Sequence, residues 1–430
     1  MHYNLISLTG TVLLMVIAWL LSQNKKVINW RLIFWGIGFQ VIFAFFIFKI
    51  PAGTKIFLVL NDIVIKILDS AAEGARFVFG RLALPPGTHN EAGETSLGFI
   101  LAFQAFPTII FFSALTASLY FIRFIPWIIK WFAYIFTRLM RISGVESLCA
   151  VSNIFFGIES VFTIKPHLKA LTRSELATIL TVGMSTVASN VLALYVFSLK
   201  EQFPNIAGHL ISASFLSAPA AIIMSKLMLP ETDTPKTLGL KLTPYYEREE
   251  NLFMAIINGA NAGLRFIAGI VALLIAVVSL VYLFDMFIGW LGRIAGIPAE
   301  LSLKTIMGYI FYPLTFILGI PVSEVGAASQ IIGEKIVLTE VVAYNDLAQA
   351  IQNGVISSPR TIIITSYALC GFTHLASMAI FVGGISVLIP ERTKLLTKLS
   401  FRCLIAATLA CLMTAAIAGI FSSESNLLFR

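Results

Sequence analysis

The chain consists largely of apolar stretches about twenty residues long, and this feature constrains its fold more than any other. Of its 430 residues, 58% are hydrophobic and 12% are charged, whereas a soluble domain carries about 25% charged residues. A helix needs about 20 apolar residues to cross a bilayer and must satisfy its backbone polar groups internally. The sequence therefore predicts an all-α polytopic membrane protein. Eight stretches qualify as transmembrane helices: 5–22, 32–50, 97–122, 176–199, 210–229, 266–294, 361–389 and 401–421.

Two segments predict helices that lie at the membrane surface. Residues 55–79 place apolar side chains at helical spacing among six charged ones, which is the pattern of an amphipathic interfacial helix. Residues 123–141 are basic and aromatic. Their Trp127 and Trp131 would lie at the level of the lipid headgroups.

Two further stretches are apolar but broken by glycine or proline beside a glutamate. Glu159 lies in the first, at about 145–168, and Glu324 lies in the second, at about 303–341. An ionisable group at membrane depth is costly and by default marks a substrate or ion site. Irregular backbone at that depth survives only where it is buried in protein or lines a cavity. Each stretch is therefore predicted to enter the membrane and return as a re-entrant hairpin.

The order of these elements repeats along the chain. Residues 1–96 hold the N-terminal spans and the interfacial helix, 97–251 form a first repeat, and 252–430 form a second. In each repeat a broken hairpin precedes a span that carries polar residues. The two opposed hairpins would form an inverted repeat, whose interface usually holds the substrate near the bilayer midplane.

Positive charge predicts the orientation of the chain. Basic residues cluster in the loops near 25–31, 123–141, 236–248 and 392–402. All four clusters fall on the cytoplasmic side if both termini lie outside. We expect a multi-pass protein of the cell inner (plasma) membrane. The net charge of +8 is scattered among apolar spans rather than gathered on one face, so nucleic-acid binding is not expected.

The candidate site can be interpreted in more than one way. Glu159 and Glu324 could each be a structural carboxylate satisfied by hairpin amides. His374 could be a satisfied core histidine, and Asn153, Thr186 and Ser377 could hydrogen-bond between helices. No enzyme motif is present. An intramembrane enzyme that uses Glu159 and Glu324 as an acid–base pair stays a remote alternative to a transporter. A channel would show rings of like pore-lining residues, and none is visible.

Several motifs resemble the concentrative nucleoside transporters. Similar stretches are Asn153–Gly157 followed by an acid and Lys165-Pro166, Ser212–Ala220 with Lys226–Glu231, Gly319–Glu324, and Ala368–Ser377. The resemblance covers most of the chain from about residue 97. It implies eight spans, an interfacial helix, two opposed hairpins and assembly as a homotrimer in the lipid bilayer. It also implies nucleoside uptake coupled to sodium, or in some bacterial members to protons, with no cofactor beyond the coupling ion.

The resemblance also implies roles for individual residues. The substrate-binding residues would be Glu159, Glu324, Phe372, His374 and Ser377, with Glu324 holding the ribose hydroxyls and Phe372 forming a wall. The sodium ligands would be Asn153, Thr186 and the carbonyls of Phe156 and Val187. Thr186 replaces the family's usual serine and keeps the hydroxyl.

Two positions depart from the family pattern. The family commonly has Gly-Gln-Thr-Glu at the first hairpin tip, where Gln and Thr contact the base. This chain has Gly157-Ile158-Glu159-Ser160, and Ile158 cannot donate a hydrogen bond to a base. His374 stands where the family usually has an asparagine. The sequence therefore predicts a nucleoside transporter without indicating which nucleoside it prefers.

Overall fold

The computed structural model describes residues 2–90, 93–245, 249–294 and 301–422, which form helices and no β-strand. The N-terminal part consists of α1 (His2–Leu20), α2 (Trp30–Lys49) and α3 (Pro51–Phe79), followed by a 3₁₀ turn at Gly80–Ala83. The first two helices match the predicted spans. The amphipathic helix predicted at 55–79 begins four residues earlier because Pro51, whose missing N–H costs nothing in a first turn, starts it.

The first half of the remaining chain continues with seven α-helices and one 3₁₀ segment. These are α4 (Leu101–Gln104), α5 (Phe106–Phe121), α6 (Phe124–Met140), α7 (Gly144–Phe156), a 3₁₀ segment (Gly157–Ala170), α8 (Arg173–Ser185), α9 (Ser189–Leu199) and α10 (Ile206–Met228). Helices α7 and α8 each start at a capping box, Ser143 with Glu146 and Thr172 with Glu175. Each box satisfies two backbone N–H groups that a helix start would otherwise leave unpaired.

The second half has a comparable order. It contains α11 (Leu252–Ile294), α12 (Leu303–Phe316), α13 (Val322–Val337), α14 (Glu340–Gln352), α15 (Pro359–Leu369), α16 (Leu375–Leu388), a 3₁₀ turn (Pro390–Arg392) and α17 (Thr393–Phe421). Helices α12 and α13 run antiparallel around a turn at 317–321 and fill most of the predicted 303–341 hairpin. A second helix break, at Leu338 and Thr339, separates α13 from α14.

The two halves can be aligned element by element. From α5 and from α11 onward, each contains an apolar helix, a second helix, a broken helix pair, a span split into two half-helices and a final buried span. In this order α13 and α14 correspond to α7 and its 3₁₀ segment. The position that corresponds to Gly157 is then the break at 338–339 rather than the turn at 317–321.

Seven helical segments of the described residues are long and apolar enough to cross a membrane. Six of them correspond to predicted spans, and the seventh, Gly144–Ala170, is the stretch predicted as the first re-entrant hairpin. The other two of the eight predicted spans are missing because each is divided into half-helices. The span at 176–199 is α8 and α9, interrupted at 186–188, and the span at 361–389 is α15 and α16, interrupted at 370–374. The predicted all-α polytopic fold is confirmed, and its two most polar spans are discontinuous.

Helix α11 is exposed along most of its length and packs on α5 through small residues. A Cβ added to Gly259 would lie 2.7 Å from the Ala117 Cβ, and one added to Gly263 would lie 2.8 Å from the Ile110 Cα. Small residues four apart let two helix backbones approach closely in a membrane, where packing rather than hydrophobicity drives association. The buried core lies instead around α8, α10 and α17.

The basic loops meet at one end of the helix bundle. Arg31 donates hydrogen bonds to the carbonyls of Leu139 and Arg138, and Arg402 donates to the carbonyl of Leu21. Arg392 donates to the carbonyl of Leu171, which ends the 3₁₀ segment. The 25–31 cluster thus contacts the 123–141 cluster directly, and Arg402 reaches Leu21 just before the 25–31 cluster. Thr237 of the 236–248 cluster accepts from the N–H of Gly144, just after the 123–141 cluster, at 2.8 Å.

Candidate functional site

The end of α7 lies directly against the break between α8 and α9. The helix stops at Gly157, whose φ of +59° is a conformation that side-chain-bearing residues rarely adopt. A Cβ added to this glycine would lie 3.2 Å from the Ala188 Cβ. Across the same contact, the Ser189 hydroxyl donates to the carbonyl of Ile154 at 3.2 Å. Two broken segments distant in sequence thus share one interface.

Uncharged oxygen atoms are concentrated at this interface. The Asn153 amide donates to the carbonyl of Val182 at 3.0 Å, and its Oδ1 accepts from the Ser160 hydroxyl at 3.2 Å. The Thr186 hydroxyl accepts from Ser217 at 3.1 Å, and the carbonyl of Val187 accepts from Ser214 at 3.4 Å. Each of these oxygens has a second lone pair. Three of the four predicted sodium ligands are thus buried polar groups at one contact, and the fourth, Phe156, is the last residue of α7.

This donor set suits a hard, singly charged cation. Hard cations take oxygen ligands, and here the oxygens belong to an amide, a hydroxyl and carbonyls. Within the described ranges no group of three or more His, Cys, Asp or Glu side chains could hold a transition metal.

The break between α15 and α16, at 370–374, ends at His374, and Ser377 lies in the first turn of α16. The imidazole of His374 caps α16: its Nδ1 accepts from the backbone N–H of Ser377 at 3.1 Å. The Ser377 hydroxyl lies within hydrogen-bonding distance of the carbonyls of His374, at 2.7 Å, and Phe372, and can donate its proton to either one. Because Nδ1 is an acceptor, the proton of the neutral ring is on Nε2. The cap therefore fixes both the orientation and the tautomer of His374.

The imidazole points at a carboxylate that the sequence analysis missed. Nε2 of His374 lies 2.9 Å from Oε2 of Glu340, and the Tyr195 hydroxyl donates to Glu340 Oε1 at 2.8 Å. Glu340 is the first residue of α14, where Thr339 is the N-cap. A helix start stabilises negative charge. Glu340, on α14, thus contacts α9 through Tyr195 and the α15–α16 break through His374.

Three family models match successive parts of the chain. They describe the "Na+ dependent nucleoside transporter N-terminus" (residues 9–82), "Nucleoside recognition" (102–202) and the "Na+ dependent nucleoside transporter C-terminus" (209–419). The nucleoside permease NupC of Helicobacter pylori is 35% identical over 97% of this chain and 98% of its own. The chain belongs to the sodium-dependent nucleoside transporter family.

Relatives in mammals and solved structures agree with this membership. Mouse solute carrier family 28 member 3 is 35% identical over 97% of this chain but 59% of its own length, so the chain spans about three fifths of that relative. The structure of CNTnw in an inward-facing, substrate-bound state matches with a TM-score of 0.86 and 32% identity, covering 97% of this chain and 99% of that one. A doubly substituted CNTnw in an outward-facing state matches with a TM-score of 0.87. Membership in a transporter family argues against the intramembrane enzyme.

Four of the predicted site residues line one small cavity of this family member. Glu159, Phe372, Ser377 and Phe156 surround a volume of about 50 Å³ together with residues of α11 and α16. Glu159 as a whole residue is exposed. A neighbouring cavity of about 190 Å³ also reaches Glu159. Pockets for drug-sized ligands start at about 300 Å³, so the walls must separate to admit a nucleoside.

Glu324 does not join the other predicted residues. Its Oε1 accepts from the backbone N–H groups of Ser357 and Ser358 at 2.8 and 3.0 Å and from the Ser357 hydroxyl. It therefore stabilises the start of α15. Thirteen residues of α13 separate it from Val337, a distance of about 20 Å at 1.5 Å per residue, and Glu340 lies just beyond that end.

The signal that could have found Glu340 is present in the sequence. Leu338-Thr339-Glu340 follows an apolar stretch and places an N-cap residue directly before an acid. The rule that selected Glu159, an acid at a break in an apolar segment, applies equally there. The glycine and proline near Glu324 instead belong to the turn that joins α12 and α13.

Proposed function

We propose that this chain is a sodium-coupled nucleoside symporter that imports nucleosides across the cell inner membrane by alternating access. The observation that carries the proposal is the pair of helix breaks. One break gathers uncharged oxygens beside Asn153, and the other holds the buried His374–Glu340 pair. One residue of each break, Ala188 and Phe372, lines the cavity that contains Glu159.

The sodium ion is proposed to bind at the contact between α7 and the α8–α9 break. Its ligands would be Asn153, Thr186 and the carbonyls of Phe156 and Val187. These groups belong to two separate elements, so an ion bound between them would hold the end of α7 in place. Gly157 and Glu159 follow that end directly. Sodium would therefore favour the substrate-binding position of Glu159, and the two ligands would bind cooperatively.

The nucleoside is proposed to bind between the end of α7 and the α15–α16 break. Phe372 would form a wall of the pocket, and Glu159, His374 and Ser377 would supply polar contacts. We assign to Glu340 the ribose-binding role that the sequence analysis gave to Glu324. Its carboxyl group is preorganised by the Tyr195 hydroxyl and by Nε2 of His374, and hydrogen bonds from ribose hydroxyls to a carboxylate are charge-assisted.

The membrane arrangement follows from the repeat and the charges. We propose that α7 with its 3₁₀ segment enters from the side of the basic loops and that α13 with α14 enters from the other side, as two re-entrant hairpins of an inverted repeat. Basic loops face the cytoplasm, so both termini would lie outside. A homotrimer is proposed from family resemblance, with the largely exposed α11 available for contacts.

Proton coupling is the alternative, with Glu159 or His374 as the carrier. The hydrogen bonding of His374 disfavours it as carrier, because a proton on Nδ1 would remove the cap from the Ser377 N–H. We therefore keep sodium as the proposed ion.

Uptake by purified protein in lipid vesicles tests the proposal. Labelled uridine is followed under an inward sodium gradient, under a proton gradient without sodium, and without any gradient, while a panel of unlabelled nucleosides competes. We expect concentrative uptake with sodium alone and competition by at least one nucleoside. Uptake that equilibrates without accumulating would indicate a channel. Accumulation driven only by a proton gradient would show that protons, and not sodium, are the coupling ion. The absence of competition by any nucleoside would refute the substrate class.

A further inference from the structure

A groove on the basic end of the molecule lies outside the transport site. It runs between α6 and residues 241–243 and encloses about 520 Å³. We call it the α6 groove and define it by Trp127, Lys130, Trp131, Tyr134 and Lys241, all of which line it. Neither the ion site nor the nucleoside site uses these residues.

The α6 groove exists because α6 is strongly amphipathic. Trp127, Lys130, Trp131 and Tyr134 recur at helical spacing, so they share one face. The opposite face is buried against the core through side chains that include Ile129. The indole rings stay exposed, at 64% for Trp127 and 54% for Trp131. The helix thus presents tryptophans and a lysine together on its free face.

The second wall is held at a fixed distance by backbone contacts. The N–H of Gly144 donates to the carbonyl of Thr237 at 2.8 Å, and the N–H of Gly239 donates to the carbonyl of Ile142 at 3.3 Å. A Cβ on Gly144 would lie only 2.3 Å from the carbonyl oxygen of Leu240. Only glycine lets this segment approach so closely, and the approach places Lys241 beside α6.

The two lysines of the groove form no ion pair with an acid among the described residues. The Lys241 ammonium lies 4.1 Å from the centre of the Tyr134 ring, and Arg138 donates to the Tyr134 hydroxyl at 2.6 Å. That hydrogen bond lowers the pKa of Tyr134, and Lys241 acts in the same direction. The sequence has no Asp or Glu between Glu94 and Glu146.

We propose that the α6 groove binds the headgroup of an anionic phospholipid from the cytoplasmic leaflet. Lys130 and Lys241 contact the phosphate, and Trp127 and Trp131 pack against the glycerol and the upper acyl chains. Tryptophan is favoured at headgroup level. Basic pockets on the cytoplasmic side of membrane proteins select anionic lipids, and each lysine near the surface contributes to that attraction.

Lipid binding by the purified transporter tests this proposal. Native mass spectrometry counts phosphatidylglycerol or phosphatidylcholine retained by the protein, and thermal unfolding in detergent measures stabilisation by each lipid and by inorganic phosphate. The variant is Lys130→Gln with Lys241→Gln. A matched control, Lys26→Gln with Lys398→Gln, removes the same charge from exposed positions on the same end of the molecule.

We expect wild type and the control to bind phosphatidylglycerol in preference to phosphatidylcholine. The groove variant should bind phosphatidylglycerol about 10- to 30-fold more weakly, as expected for two lysines near a phosphate, while Lys130→Arg with Lys241→Arg retains binding. Equal binding by the groove variant and wild type would overturn the site. Equal binding of both lipids to wild type would overturn the anionic selectivity. Stabilisation by inorganic phosphate equal to that by phosphatidylglycerol would assign the groove to a free anion instead of a lipid.

Discussion

The substitution Glu340→Gln distinguishes the two glutamates that compete for the ribose-binding role. A glutamine at 340 keeps the shape of the side chain and removes its charge. Its amide oxygen can accept from Nε2 of His374 while its NH₂ group donates to the Tyr195 hydroxyl, which can also accept. The local hydrogen bonds can therefore be kept, and we expect normal expression and folding.

Nucleoside affinity should decrease, because the sugar hydroxyls would then donate hydrogen bonds to a neutral group. A hydrogen bond to a charged group contributes about 1.5–3 kcal/mol and a neutral one about 0.5–1.5 kcal/mol. Two sugar hydroxyls would thus lose about 2–3 kcal/mol, which corresponds to a roughly 30- to 150-fold decrease in nucleoside affinity. Deoxynucleosides lack one of these bonds and should lose less.

Glu324→Gln is the matched control, since it makes the same chemical change at the other end of α13. It removes charge from the hydrogen bonds to Ser357 and Ser358. We expect a modest loss of stability and nucleoside affinity within a few-fold of wild type. Binding of uridine and 2′-deoxyuridine to each purified variant, measured by calorimetry, makes the comparison. Loss of affinity in Glu324→Gln with wild-type affinity in Glu340→Gln would refute the assignment made here.

Three further substitutions probe neighbouring groups. His374→Asn should alter nucleoside preference more than expression. It should leave the pH profile of uptake unchanged, because the neutral ring accepts from the Ser377 N–H; a shifted profile would indicate that His374 carries the coupling proton. Thr186→Val should raise the sodium concentration for half-maximal uptake several-fold while saturating sodium restores nucleoside affinity, and an unchanged sodium dependence would exclude Thr186 as a ligand. Gly157→Ala should lower thermal stability, since a side chain at this positive φ costs about 1–3 kcal/mol and meets Ala188; equal melting temperatures would contradict the strain argument.

Much of the fold could be predicted because bilayer thickness sets the length of apolar segments. The stretches that became α1, α2, α10 and α17 needed no more than a count of residues. That the two spans are split at 186–188 and 370–374 was harder to predict from the sequence. Polar residues marked these places, but the half-helices depend on packing against a partner break that lies far away in sequence.

The candidate site was predicted only in part for the same physical reason. Asn153 and Thr186 lie close to recognisable breaks, and the structure brings their elements together. Glu324 and Glu340 both interrupt an apolar run. Periodicity alone could not choose between the two ends of α13. The proposal for Glu340 rests on its contact with His374, and this contact joins residues that are distant in sequence.

The central claim is that sodium and a nucleoside bind to one structural unit at the two helix breaks. Calorimetric titration of purified protein tests it most directly, with uridine or a preferred nucleoside titrated at several sodium concentrations and sodium titrated with and without nucleoside. Because coupling between two binding sites is reciprocal, each ligand should increase the affinity of the other by the same factor. A nucleoside affinity that stays constant from zero to saturating sodium would contradict the account.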